Sequence, residues 1–119
     1  MRSTSICVTL GCCALLVACQ PVQAVDRKAK AGCADLSWLV APDNLTAAPY
    51  DVKAHADEAV SLLQAAAQDA SRYQDLAGGA AVVAKRVEAD GYTNLVADAA
   101  LATVLLSLTG EAGCGKWGF

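Results

Sequence analysis

Asp51-Val52-Lys53-Ala54-His55-Ala56-Asp57-Glu58-Ala59-Val60-Ser61-Leu62-Leu63-Gln64-Ala65-Ala66-Ala67 is the stretch whose periodicity decides the class of fold. Val52, Ala56, Ala59, Val60, Leu63, Ala66 and Ala67 recur at steps of three and four, and the series continues through Ala70, Tyr73 and Ala77. That spacing places them on one face of an α-helix. Lys53, Asp57, Gln64, Gln68, Ser71 and Asp75 fall on the other faces. Asp51 has the residue type that caps a helix start. The pattern predicts one amphipathic helix over 51–77, about seven turns long. Its contact face is mostly Ala, so a neighbour can approach closely while burying less area per residue than a Leu-rich face would.

Towards the C-terminus, Gly78-Gly79 reads as a turn or helix cap. A second helix is predicted over 80–89, with Ala80, Val83, Ala84 and Val87 inward and Lys85, Arg86 and Glu88 outward; Asp90-Gly91 ends it. Thr93 is placed to cap a third helix over 94–109, which Gly110 closes. This third helix is apolar almost all round, with Leu95, Val96, Ala99, Leu101, Val104, Leu105, Leu106 and Leu108, and its few polar residues form no continuous stripe. Such a helix is expected to be buried on most sides. It is about 24 Å long and carries Asp98 in its first half, so a central core helix is expected rather than a membrane span. Asp98 is read as a partner for the helix dipole. The expected fold is therefore all-α, a small three-helix bundle over residues 33–119.

Towards the N-terminus, Ala34-Asp35-Leu36-Ser37-Trp38-Leu39-Val40 allows a short helical turn that Pro42 halts. Residues 20–31 are small and polar and read as a flexible tether. Ahead of them, Arg2 precedes an apolar run from Ile6 to Ala18. That run is shorter than the roughly 20 residues that span a bilayer and has the make-up of a secretory signal peptide. Cleavage after Val22-Gln23-Ala24 is one reading. The other is set by Leu16-Val17-Ala18-Cys19, where the run meets Gln20-Pro21.

Leu16-Val17-Ala18-Cys19 resembles the lipobox of bacterial lipoprotein precursors. The resemblance covers only the first twenty or so residues. It implies that residues 1–18 are a signal peptide, that Cys19 becomes an acylated N-terminus, and that residues 19–32 tether the helical domain to the lipid bilayer. It further implies the cell envelope as the destination. With Gln20 after the Cys, that means the periplasmic face of the outer membrane in a diderm, or the outer face of the plasma membrane in a monoderm. More than one acyl chain holds firmly without a spanning helix, since each buried CH₂ contributes about 0.8 kcal/mol. Arg27, Lys28 and Lys30 are placed either to rest on anionic headgroups or to stay in a solvated tether. In a bacterial chain the sequon Asn44-Leu45-Thr46 is an accident of sequence.

Loss of residues 1–18 leaves 101 residues, and loss of Arg2 takes the net charge from −3 to −4. One domain is expected, and a mildly acidic chain has no electrostatic footprint for nucleic acid. Of the six cysteines, Cys7, Cys12 and Cys13 leave with the leader, Cys19 carries lipid or also leaves, and Cys33 and Cys114 remain. Export to an oxidising compartment makes a Cys33–Cys114 disulfide the economical pairing. The bridge is expected to bring Trp117 and Phe119 towards Trp38 and Leu39, as aromatics packed over the disulfide or as an exposed anchor for a partner.

The chain carries few residues with catalytic or metal-binding chemistry. His55 is the sole histidine. Asp51, His55 and Glu58 can share a helix face, but such trios are common on solvated helices, and neither a metal site nor a cofactor is expected. Nucleophile-elbow, phosphate-loop and zincin motifs are lacking, and no enzyme activity is expected. The leading function class is a protein-binding module of the envelope, such as an inhibitor, immunity factor or assembly factor. A structural or accessory lipoprotein is the alternative, and a lipid or small-molecule carrier the weaker one.

Overall fold

The computed structural model describes residues 22–93 and 95–119, without the side chains of residues 22, 23 and 96. The expected signal peptide, the lipobox-like stretch and Cys19 lie outside the described residues. The fold is all-α, as the periodicity predicts: α1 (Val22–Val40), α2 (Pro49–Asp69), α3 (Gln74–Ala89) and α4 (Ala99–Thr109), joined by short 3-10 segments. α1 lies along α2 over the most extensive interface, α3 packs on α2, and α4 leans on both α1 and α3. None of the described helices is long and apolar enough to cross a membrane.

The largest departure from the sequence reading is α1. Residues 22–32, expected as tether, are helical and run without a break into the turn expected at 34–40. Among the described residues the bundle therefore has four α-helices rather than three. Val25, Ala29, Cys33, Leu36 and Leu39 supply the reason: each is buried, and together they form a stripe at helical spacing facing α2. The lysines and alanines between them are good helix formers. Gly32 lets α1 come close to α2, because a Cβ there would stand 2.7 Å from Cγ of the fully buried Leu63. α1 stops before Pro42, and the Asn44 side-chain amide donates to the Trp38 carbonyl at 3.1 Å, satisfying one of the open acceptors at the helix end.

α2 buries Val52, Ala56, Ala59, Leu63 and Ala66, the stripe read from the sequence. Its start and end differ from expectation. Pro49 occupies the first turn and the capping position is Ala48, so Asp51 is not the cap but an acidic residue of the first turn. The predicted seven-turn helix breaks at Ala70, which is extended at φ −146° and ψ 110°. A 3-10 turn over Ser71–Tyr73 then carries the fully buried Tyr73 into the core, and α3 begins.

Gly78-Gly79, expected as a turn, lies inside α3. Gly79 meets α4, where a Cβ would stand 2.4 Å from a Leu108 methyl, whereas Gly78 faces open space. α3 buries Leu76, Ala77, Ala80, Val83 and Val87.

α4 is shorter and more exposed than its composition suggests. Leu95–Ala97 form a 3-10 turn, Asp98 caps, and the α-helix starts at Ala99. Only Leu101 and Leu105 of this helix are buried, while Leu106 is 64 % exposed. α4 is thus an outer helix resting on one face, and the expectation of a central helix does not hold. α1 holds the most extensive interface with α2, and α4 packs against α1 and α3 instead.

Cys33 and Cys114 are joined, with Cα atoms 5.9 Å apart and a separation of 81 positions in sequence. Cys33 sits mid-way along α1, so the bridge fastens the C-terminal 3-10 turn, Cys114–Trp117, to the centre of the bundle.

Candidate functional site

The aromatics expected as one cluster are divided between two places. Beyond Cys114 the chain lies over Tyr73: Trp117 meets that ring edge-on at 5.4 Å between centroids and Phe119 at 6.3 Å. Arg72 covers the same group, its guanidinium 4.8 Å from the Tyr73 ring and 5.9 Å from Trp117. Asp26 of α1 completes it by accepting from the Tyr73 hydroxyl at 2.5 Å and from Arg72 Nη2 at 2.6 Å. These two donors hold the Asp26 carboxyl below the usual carboxylate value. Trp117 and Phe119 are half-buried, packed rather than free-standing. The cluster forms near the start of α1.

Trp38 stands five residues after Cys33 on α1 and belongs elsewhere. Its indole stacks on the His55 imidazole, centroids 3.9 Å apart and planes within 14°. This contact opens onto the only charged or polar residue buried with the core among the described residues, Asp35. Nδ1 of His55 lies 2.7 Å from Oδ1 of Asp35, and the ring N–H donates to the ionised carboxylate. The Asp35 side chain is 8 % exposed against 32 % for His55. Its second oxygen, Oδ2, is buried and has no hydrogen-bond partner. Burial pushes the Asp35 carboxyl up to about 6; the hydrogen bond from His55 opposes the rise and the neighbouring Glu58 carboxylate adds to it.

Asp35, His55 and Glu58 each bring a ligand-capable atom to a point where all three atoms lie within 4.8 Å of one another. Two of the three, His55 and Glu58, were visible as an i, i+3 pair on one helix. The third comes from a different helix, and it is Asp35 rather than Asp51. The signal that could have found it is an acid placed between Cys33 and Leu36 on a stripe of buried positions, which becomes readable once residues 22–40 are seen as a helix.

A third feature is apolar. Leu39 and Val40 of α1, Leu45, Leu95, and Ala102, Leu105 and Leu106 of α4 line an open groove of about 200 Å³. Its lining is almost free of polar atoms, so water in it gains few hydrogen bonds.

Comparison with protein-family models, with curated proteins and with solved structures finds no match to this chain.

Proposed function

We propose that the chain is a small exported lipoprotein of the bacterial envelope, anchored through acyl chains on Cys19, whose helical bundle serves as a protein-binding module. The observation that carries the reading is the Cys33–Cys114 bridge, which closes 81 residues of sequence. Such a staple belongs to an oxidising compartment, and this supports the export implied by the lipobox-like Leu16-Val17-Ala18-Cys19. The binding role is supported by the apolar groove beside α4, where Leu106 stands largely in solvent. The groove offers a partner's apolar side chain a place to leave water. Trp38, Trp117 and Phe119 remain candidate contacts only at their half-exposed edges. An accessory lipoprotein with no dedicated ligand is the second reading; packing of the aromatics against Tyr73 and His55 favours it.

The test has two arms. Cys19→Ala should abolish incorporation of labelled fatty acid and leave the precursor uncleaved or rerouted; retained label would defeat the anchor. A photoreactive residue at position 106 in intact envelopes should give one discrete protein adduct, while the same residue at the exposed position 82 of α3 should give none. If position 106 also gives none, the accessory reading replaces the binding module.

A further inference from the structure

A buried carboxylate oxygen with no donor is an expense that folded proteins rarely tolerate. Oδ2 of Asp35 is in that state, in a carboxylate that shares its surroundings with a second acid, Glu58, and with a histidine whose Nδ1 is paired to the other oxygen. Two carboxylates and one imidazole face one small volume, and no Lys or Arg forms an ion pair with Asp35 or Glu58 among the described residues. One species that satisfies all three groups together is a cation held by mixed nitrogen and oxygen donors.

We propose that Asp35, His55 and Glu58 form a binding site for a divalent first-row transition ion, with Zn²⁺ the best fit. The donor set selects the class. Imidazole with carboxylates suits zinc and its neighbours, whereas calcium and magnesium favour all-oxygen shells. Three protein ligands with an exposed mouth leave a coordination position for water or an external group. The two buried-side ligands are already held: Asp35 by its place in α1, and the His55 ring by the stacked Trp38 indole. Two metal bonds of about 2.0 Å at a tetrahedral angle separate their donor atoms by about 3.3 Å. The present 2.7 Å pair therefore opens by roughly half an ångström as the ring proton leaves and its lone pair turns to the ion. Glu58 is exposed and able to swing in as the third ligand. The bound ion ties α1 to α2 at the end of the interface away from Asp26, adding a second clasp to the disulfide.

The experiment is calorimetric titration of Zn²⁺ alone, with Mg²⁺ as the comparison, into the untagged full-length chain. Thiols other than Cys33 and Cys114 are alkylated first so that they do not compete. One equivalent of Zn²⁺ and no Mg²⁺ should bind. Asp35→Asn and Glu58→Gln should each weaken zinc binding at least tenfold, while Asp57→Asn, an exposed acid on the same helix, leaves it unchanged. Glu58 is exposed, so its variant keeps the test open even if Asp35→Asn disturbs folding. Failure of the parent chain to bind zinc, undiminished binding by Glu58→Gln, or an equal loss in Asp57→Asn would each overturn the site.

Discussion

At the scale of single residues, Asp98 shows how one carboxylate is used twice. Its Oδ1 accepts from the Leu101 amide at 3.0 Å, capping α4, and its two oxygens accept from the Arg86 guanidinium of α3. The Arg86 hydrogen bond, followed by that of the Leu101 amide, holds the Asp98 carboxyl well below its ordinary value of 3.8. A carboxyl whose folded value is depressed stabilises the fold above its unfolded value and loses that contribution as pH falls through the folded one. Thermal unfolding should therefore show a stability that declines as pH drops below about 4. Asp98→Asn should flatten that acid limb while keeping a capping side chain. Asp98→Ala should lower the melting temperature at neutral pH as well, since the Leu101 amide and the Arg86 guanidinium both lose their acceptor. From sequence Asp98 reads as a dipole partner inside a helix over 94–109; it stands instead one residue ahead of α4, as its N-cap. The Arg86 contact could not be read, because it joins two helices twelve residues apart across a turn.

At the scale of elements, small residues decide how closely the helices sit. Gly32 is where α1 meets α2, against Leu63, a side chain with no exposure. Gly32→Ala should be destabilising by about 1–3 kcal/mol, since overpacking outweighs the gain in helix propensity. Gly78, one turn into α3, has nothing within 4 Å of an added Cβ. Gly78→Ala should stabilise by about 0.5–1 kcal/mol. Urea denaturation of the two variants measures opposite changes from the same substitution. Gly79 shows what the pattern hid. A Gly-Gly pair reads as a turn when local propensity is the only guide, yet both residues lie inside α3 and Gly79 lets Leu108 of α4 come close. The same competition explains α1. Its alanines and lysines look like a tether, and only the burial of Val25, Ala29, Leu36 and Leu39 against α2 makes the helix worth forming.

At the scale of the whole molecule, the disulfide is the main constraint on the unfolded chain. Closing 81 residues contributes up to about 4.5 kcal/mol in the loop-entropy account. A domain of this size has a total stability of about 5–15 kcal/mol, so the reduced form should be marginal. Denaturant unfolding of the oxidised chain and of the Cys33→Ala/Cys114→Ala variant should differ by about 2–4.5 kcal/mol. Because the tail is fastened through Cys114, loss of the bridge should also free Trp117 from Tyr73. The check is a red shift of tryptophan fluorescence before the helical signal is lost. An unchanged spectrum would mean that the contacts of Trp117 and Phe119 hold the tail unaided.

Most of the helical face positions were legible in the sequence: Val52, Ala56, Ala59, Leu63 and Ala66 of α2, and Ala80, Val83 and Val87 of α3. The expected loss of a leader also singles out Cys33 and Cys114 as a pair. The face positions follow from local periodicity and residue chemistry, which act along a few turns of chain. Tertiary structure decided the rest: that residues 22–32 are helix, that the long helix breaks at Ala70, that α4 lies outside, and that Trp38 sits on His55. It also decided the candidate site, since Asp35 and His55 are twenty residues apart and meet only when α1 and α2 pack. The physical reason is the same in each case. Burial against another element stabilises a conformation by several side chains at once, while intrinsic propensity differs by only tenths of a kcal/mol per residue.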